Sequence, residues 1–333
     1  MPNTLRRPAF GYAIGLLAAL SFGANGSVIS VLLMHDTLTP AQLTLMRTLV
    51  TAAITGVILL FTDRAAFRIT RRQFGLLVVL GVAGVAMLQL FYALAVSRID
   101  VGIALLFEYL AVPAVALIAL IFFKEYVRTR IWVSIALVIV GLAVVAQIWN
   151  STLDPLGVVY ASIAAASYVV YFLLGERAMN SMSVLGMVFW AMLVSTVFWG
   201  IFSQWWMIDP SKIVEPISLE GNLSSVFVPY WIPLLWALVV GSFVSFILSF
   251  VSLKHLKSTS AGIIASSEVI FAFVVAWLWL NETLTTVQLL GAAIVAIGIV
   301  LAQTARPGKV VDLDLATSEH SDPHPHSGGA ISR

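Results

Sequence analysis

Three ionisable side chains lie inside long apolar stretches of this sequence. Glu108 occurs in "GIALLFEYLAVPAVALIALIFFKE", Glu268 in "AGIIASSEVIFAF", and Arg47 in "TPAQLTLMRTLVTAAI". An ionised carboxylate at the centre of a membrane costs about 3 kcal/mol, so such groups face a bundle interior, a partner or water. Either glutamate could bind a cationic group of a substrate or carry an exchanged proton. The alternative is a protonated or ion-paired glutamate that only holds helices together.

Arg47 has three possible roles. It could hold a substrate carboxylate, pair with a glutamate, or extend its long stem to the membrane interface. An arginine and a carboxylate in one cavity would suit a zwitterionic amino acid, because each end of the ligand needs an opposite charge. The sequence alone leaves these alternatives open.

Weaker candidates for the same cavity are neutral polar and aromatic residues within apolar segments. Such side chains could contact a ligand, although bridging between helices and simple packing are their commoner uses. These candidates are Asn25, Gln89, Tyr92, Tyr109, Ser266 and Ser267. Pro113 removes a backbone hydrogen bond shortly after Glu108, so it predicts either a hinge or a fixed bend.

The composition indicates the solvent in which these residues lie. Of the 333 residues, 60% are hydrophobic and only 10% are charged, whereas soluble domains have about 25% charged residues. A spanning helix needs about 20 apolar residues, and ten segments meet that length. The predicted spans are 11–33, 41–61, 74–96, 102–123, 130–149, 156–175, 183–206, 229–251, 259–280 and 285–303. The sequence therefore predicts an all-α polytopic membrane protein.

Positive charge predicts the orientation of these helices. With the N-terminus in the cytoplasm, Arg98 and Lys212 are the lysine and arginine residues that fall in outer loops, and Arg47 lies within the second helix. The other lysines and arginines then lie on the inner side, as the positive-inside rule expects. Both termini are therefore predicted to be in the cytoplasm. The long outer segment 209–228 is predicted to lie on the membrane surface or to cover an entrance.

Several function classes are disfavoured by what the sequence lacks. It contains no HExxH, GxSxG, P-loop or GxGxxG pattern, which disfavours an enzyme and an ATP-driven pump. The net charge of +2 is too small for nucleic-acid binding, and no cysteine is available for a thiolate site. No cofactor and no metal site are predicted; His320, His324 and His326 lie in a polar tail, 304–333, that is expected to be disordered.

The chain repeats itself. "FFKEYVRTRIWVSIALVIVGLAVVAQ" is similar to "LWLNETLTTVQLLGAAIVAIGIVLAQ", so that Glu125 and Glu282 are separated by 157 positions, as are Gly141 and Gly298. Each half, 11–149 and 156–303, then contains five helices, and an odd number places the two halves in opposite orientations. Such inverted repeats create a site between the halves that two near-mirror packings open to opposite sides.

These patterns resemble the drug/metabolite transporter superfamily in its EamA-type branch. The resemblance covers residues 11–303 and rests on the second-helix pattern with Arg47 and on the two repeat-ending patterns. "SRIDVGIALLFEYLAVPAVAL" also resembles the fourth-helix region of the threonine/homoserine exporter subgroup. Val269 and Lys124 depart from the family pattern, where proline and glycine are usual.

The resemblance and the buried charges together predict a secondary active transporter in the cell (cytoplasmic, or inner) membrane. We expect it to export small metabolites by alternating access with proton exchange. Amino acids or related compounds are the leading class of substrate. A passive exchanger and a drug-efflux carrier are the alternatives within transport, and a non-transporting scaffold or sensor is the alternative outside it. The expected partners are a small-molecule substrate, lipid and protons; oligomeric state is left open by the sequence.

Overall fold

A computed structural model of the chain describes residues 8–111, 114–115, 118, 129–147, 153–256 and 258–305. Almost all of these residues are helical. The α-helices of the first half are α1 Pro8–Met34, α2 Pro40–Thr62, α3 Arg71–Val79, α4 Met87–Val96, α5 Val101–Glu108 and α6 Thr129–Val145. Those of the second half are α7 Pro155–Met179, α8 Val184–Phe202, α9 Pro210–Val214, α10 Trp231–Leu238, α11 Ser245–His255, α12 Ser258–Leu280 and α13 Thr286–Ala305.

Seven helical segments in the described ranges are long and apolar enough to cross a membrane, and two shorter apolar helices accompany them. α5 begins a further helix of the first half. The all-α polytopic architecture expected from the sequence is therefore confirmed, while the part of the predicted fourth span beyond residue 118 lies outside the described residues. Pro113 and the tail 306–333 lie outside them as well.

Helix starts follow from local sequence. Thr39 and Thr70 cap α2 and α3, and in each case the glutamine three positions later hydrogen-bonds back to the threonine backbone. This reciprocal capping box satisfies amide groups that the first helical turn leaves without partners. Proline at the start of α2 and of α7 adds a backbone angle already suited to the first turn.

Two of the predicted spans contain a π-helical segment that hydropathy did not predict. Leu80–Ala86 joins α3 to α4, and Val239–Val244 joins α10 to α11. The first follows a helix of 9 residues and the second a helix of 8 residues, so both lie at a similar depth. π-helical turns within α-helices are rare and occur frequently at functional sites. Here they widen the helix in the third transmembrane segment of each half.

α5 is shorter than the span of 102–123 predicted from hydropathy. Regular helix ends at Glu108, and Tyr109 and Leu110 form a turn before helical residues resume at Ala111. The apolar run continues through this turn, which is why hydropathy alone predicts an unbroken helix. The break places Glu108 and Tyr109 at a helix end.

Glycines allow α1 and α12 to pack closely. A Cβ atom added at Gly23 would lie 2.7 Å from the backbone nitrogen of Ala272 and 2.7 Å from the carbonyl oxygen of Glu268. No side chain fits there without a backbone shift. α1 is therefore held directly against the segment of α12 that carries the second buried glutamate.

α6 and α13 cross with a reciprocal contact. Gly141 packs on the carbonyl of Gly291, and Gly298 packs on the carbonyl of Ser134, whose hydroxyl also donates to the Gly298 carbonyl at 2.7 Å. Shifting by the 157 positions of the sequence repeat turns one of these contacts into the other. A two-fold axis between two repeats would produce such an exchange of partners.

The segment between α8 and α10 is folded and covers one end of the bundle. Strands β1 Pro216–Ser218 and β2 Phe227–Pro229 pair antiparallel to form a hairpin. The ring of His35, which follows α1, contacts the Ser218 carbonyl at 2.9 Å. The indole of Trp279, near the end of α12, donates to the Leu219 carbonyl at 2.8 Å. We call this end the hairpin face. Two placements were expected for this segment, on the membrane surface or over an entrance, and this packing favours the second.

Candidate functional site

The candidate site lies between the two halves, where α2, α4, α5 and α12 bring ionisable side chains together. Arg47, Tyr92, Glu108 and Glu268 are close enough to interact electrostatically. All four are half-buried rather than fully enclosed. The structure therefore brings together the three charged residues singled out from the sequence, although 221 positions separate the first from the last.

Arg47 is held by the opposite half of the chain. Its Nε donates to the Ser242 hydroxyl at 3.2 Å, and Ser242 lies in the π-helical segment Val239–Val244. The Ser242 hydroxyl itself donates to the Ala237 carbonyl at 2.9 Å, so its oxygen is fixed toward the guanidinium. The remaining guanidinium N–H groups make no hydrogen bond to described residues. Within the described part of the chain, Arg47 is thus oriented by one atom, and its other donors have no partner.

Neither glutamate forms a salt bridge with Arg47. Among the described residues, Arg98 forms a salt bridge with Asp154, and the His35 Nε2 atom lies 3.4 Å from a Glu220 carboxylate oxygen. The pairing of Arg47 with a glutamate, one of its three possible roles, therefore does not occur in this conformation. A positive and a negative group lie near one another without direct contact.

The two glutamates differ in their own contacts. Glu108 makes no side-chain hydrogen bond within the described ranges, and its carboxylate interacts with Glu268 and Arg47 only over longer distances. Glu268, in contrast, lies 2.9 Å from the Tyr109 hydroxyl, measured from its Oε2 atom. The Tyr109 hydroxyl is also 3.2 Å from the Ala265 carbonyl oxygen. Among the described residues, one carboxylate is thus held by a hydrogen bond and the other has no hydrogen-bond partner.

The weaker candidates have mixed positions. The Tyr92 hydroxyl packs against Gly26 of α1 beside the charged group, and Tyr109 contacts Glu268. The Ser267 hydroxyl donates to the Ile264 carbonyl of its own helix at 2.6 Å. Gln89 points toward Met192 of α8, with its amide 3.9 Å from the sulfur.

Asn25 is buried against the π-helical segment of the second half. Its side chain is only 4% exposed, and its Oδ1 atom has no hydrogen-bond partner in the described structure. This oxygen packs directly on Gly241 of the π-helical segment, next to Ser242. A buried carbonyl oxygen without a donor is costly, so Asn25 remains a candidate contact for a donor group of a ligand.

Ser242 and Gly241 were missed by reasoning from the sequence. They belong to "ALVVGSFVSF", residues 237–246, where a glycine and a serine adjoin inside an apolar helix. This pair was the available signal, because Gly–Ser pairs are among the recognised causes of helix distortion. Ser266 is buried beside Glu268, at 8% exposure.

A second contact between the halves lies above the site, toward the hairpin face. Both carboxylate oxygens of Glu282 accept from the Val101 amide, at 3.0 and 3.2 Å, so Glu282 caps α5 from the other half. Burial raises the pKa of the Glu282 carboxyl to about 7, and nearby Asp100 acts in the same direction. Burial also raises the pKa of Asp100. Glu282 therefore links the helix that carries Glu108 to the end of α12.

A cavity of about 350 Å³ opens beside Glu282. Its lining consists of Phe273, Val274, Trp277, Glu282, Thr283, Leu284 and Leu289. No group of three or more histidine or acidic residues suited to a metal ion occurs in the described part of the chain. The central site thus contains charged side chains of both signs.

Comparisons with known proteins agree with this architecture. The model of the EamA-like transporter family matches the chain twice, over residues 9–147 and 155–304. An uncharacterized transporter from Archaeoglobus fulgidus is 24% identical over 214 residues, which cover 63% of this chain and 70% of that protein. A solved crystal structure is similar with a TM-score of 0.58 and 16% identity, over 90% of this chain and 99% of the other.

The crystal structure supports the fold alone, since its sequence identity is low. The family match extends over nearly all of the described residues and includes every charged residue of the central site. The protein is a multi-pass membrane protein, and it belongs to the EamA-like transporter family.

Proposed function

We propose that the protein is a secondary active transporter that exports small metabolites by alternating access, with amino acids or related compounds as its leading substrates. The observation that carries this proposal is the placement of Arg47 and Glu108 near each other. These opposite charges lie in one interior region between the halves and do not pair with each other, and most of their hydrogen-bonding groups have no partner among the described residues.

A zwitterionic amino acid would satisfy both groups. Its carboxylate would accept from the Arg47 fork, as guanidinium groups bind carboxylates with two parallel hydrogen bonds. Its ammonium would bind Glu108. A ligand carrying both charges would thereby compensate two half-buried groups, each of which is costly to leave unpaired in a membrane protein.

Alternating access follows from the proposed inverted relation of the halves. Because the site is formed by both, rocking one half against the other would open it to one side at a time. The reciprocal crossing of α6 and α13 supports this relation, as do the two π-helical segments. We further propose that the protein lies in the cytoplasmic membrane, with both termini inside and the hairpin face outside, and that proton exchange drives export.

The test is labelled amino-acid flux in proteoliposomes with an imposed pH gradient. Threonine, homoserine, and branched-chain and aromatic amino acids form the substrate panel. We expect saturable flux of at least one of them, directed by the gradient. Absence of flux for the whole panel, with protein shown to be folded by its elution profile and circular dichroism, would contradict the proposal.

Export of aromatic cations is a second candidate. Two carboxylates oppose one arginine at the site, and Tyr168 lies within electrostatic range of both glutamates and stacks on Phe172 at 4.4 Å between ring centres. Tyrosine rings and carboxylates together suit a flat cation. Flux of a fluorescent cation without competition by any amino acid would favour this function over the first.

A further inference from the structure

The Tyr109 hydroxyl is surrounded by more acceptors than it can serve. It lies 2.9 Å from Glu268 Oε2 and 3.2 Å from the Ala265 carbonyl oxygen. A phenol carries a single hydrogen, and a carbonyl oxygen can only accept. If the phenol donates to Ala265, the contact with Glu268 is a hydrogen bond only when the carboxyl is protonated and donates to the phenol oxygen.

We infer that Glu268 carries the exchanged proton, and that Tyr109 is the positioning residue that holds its protonated form in this conformation. This inference rests on the function proposed above. Glu108, which has no hydrogen-bond partner in the described chain, is then the carboxylate that binds the substrate ammonium together with Arg47. The two acidic residues have separate tasks.

The described residues place few other ionisable groups around Glu268. α5 contributes Glu108 beside Tyr109, α4 contributes Tyr92, and α7 contributes Tyr168, while Arg47 of α2 interacts with Glu108 and Tyr92. α1 presents Gly23 to the backbone of Glu268, and α13 contains no ionisable residue.

The remaining ionisable groups of elements packed on α12 are distant. Those of α11 are confined to its last two positions, 254 and 255, whereas Glu268 lies ten residues into α12, about 15 Å from the helix start at 1.5 Å per residue. Among the described residues, protonation at the site therefore concerns the carboxyls of Glu108 and Glu268, with Arg47 as the nearby positive charge.

The proton balance follows from these contacts. When the cavity faces the side of lower proton concentration, the Glu268 O–H bond breaks and the proton passes to water. The Tyr109 hydroxyl then donates to the ionised carboxylate, and the Ala265 carbonyl loses that hydrogen bond. Two ionised glutamates now repel each other near one arginine, which favours arrival of a ligand that carries an ammonium group. Reprotonation of Glu268 removes this attraction and favours release.

The experiment is infrared difference spectroscopy on the full-length protein in lipid nanodiscs, at the pH of the flux assay and across a pH titration. A protonated carboxyl gives a separate band that an ionised one lacks. We expect one component of this band to be removed by Glu268→Gln and retained in Glu108→Gln, while the component from Glu282, whose carboxyl pKa is also raised, is identified by its loss in Glu282→Gln. Tyr109→Phe should shift the position of the Glu268 component, because the carboxyl loses its acceptor, while the matched variant Tyr171→Phe should leave it unchanged.

Flux measured on the same preparations separates this inference from the proposed function. In Glu268→Gln we expect the response of flux to a pH gradient to be lost and the apparent substrate affinity to fall, because the neutral side chain resembles the protonated state that favours release. Amino-acid flux together with a carboxyl band that loses no component in Glu268→Gln would overturn the inference and leave the transport function standing. Absence of flux in wild-type protein would instead overturn the proposed function, while the band in that sample would still decide the protonation of Glu268.

Discussion

The two halves of the chain have similar helices but different polar contacts. In the first half the Glu108 side chain makes no hydrogen bond to the described residues, whereas in the second half Glu268 is held by Tyr109 of the first. Arg47 of the first half is held by Ser242 of the second. Each oriented charge is therefore fixed across the interface. Two equal walls would suit a symmetric ligand, while these unequal walls suit a ligand with two different ends.

The halves also share a distortion of their helices. In its described residues, each half contains one π-helical segment, Leu80–Ala86 or Val239–Val244, at a similar distance from the start of its membrane-spanning segment. In the second half this segment carries Ser242 and contacts Asn25 through Gly241, whereas the first-half segment packs Gly81 and Gly84 against α8 and α7. The same distortion thus serves the site in one half and helix packing in the other.

Removing the charge of Glu108 should reduce transport more than any other change to the unequal polar contacts of the two halves. We expect Glu108→Gln to lower flux per unit substrate about 100-fold, because the substrate ammonium loses its charged partner. Losing one partner of a half-buried charge pair costs about 3 kcal/mol. The matched control is Glu215→Gln, an exposed residue beside the hairpin. Initial-rate flux at several substrate concentrations measures both. Equal rates in wild type and Glu108→Gln would contradict the assignment of Glu108 to the substrate.

The contact of Glu282 with α5 predicts a pH-dependent stability. The pKa of its carboxyl is about 7 in the folded protein against an ordinary 4.5, so between these values the folded state binds more protons than the unfolded state. Stability should therefore fall as pH rises from about 4.5 to 7, by an amount on the order of 2 kcal/mol for this partly exposed group. Thermal unfolding followed by tryptophan fluorescence measures this fall.

Glu282→Gln should flatten this pH dependence, whereas Glu215→Gln should retain it. Both variants are compared with wild type in the same detergent and over the same pH range. An unchanged slope in Glu282→Gln would show that another group causes the pH dependence.

The close packing of α1 on α12 should resist even a small side chain. Gly23→Ala places a Cβ atom 2.7 Å from two backbone atoms and should destabilise the protein by about 1–3 kcal/mol. Gly75→Ala is the matched control, since a Cβ there meets no atom within 4 Å. Thermal unfolding should show a clear decrease for the first variant only. Equal behaviour of the two would contradict the contact beneath Glu268.

The smallest effect is expected for the residue that orients Arg47. Ser242→Ala removes the acceptor of the Arg47 Nε, and we expect about a 5-fold weaker apparent substrate affinity, which corresponds to about 1 kcal/mol. Ser245→Ala is the control, because Ser245 makes a similar bond to the Val240 carbonyl but does not contact Arg47. A similar loss in both variants would indicate a general effect on the helix.

The sequence predicted the membrane fold and the three central charges well, for a physical reason. Apolar runs of sufficient length must form spanning helices, and ionisable groups inside them must avoid lipid. Arg47, Glu108 and Glu268 were therefore visible as candidates, and the structure brings them together.

Other features depend on contacts that hydropathy does not contain. The π-helical segments change the hydrogen-bond register without changing composition, and the end of α5 at Glu108 lies within an uninterrupted apolar run. The bond between Arg47 and Ser242 joins residues 195 positions apart. The pairing of Tyr109 with Glu268 likewise requires the two halves to be packed together.

The most direct test of the central claim is the charge requirement of the substrate. Competition against labelled threonine flux is measured with three compounds of similar size: unlabelled threonine, threonine amide without the carboxylate, and N-acetyl-threonine without the ammonium. If Arg47 and Glu108 hold the two ends of a zwitterion, threonine competes and each single-charge analogue competes at least about 10-fold more weakly, as expected when about 1.4 kcal/mol or more is lost. Equal competition by all three compounds would contradict the account.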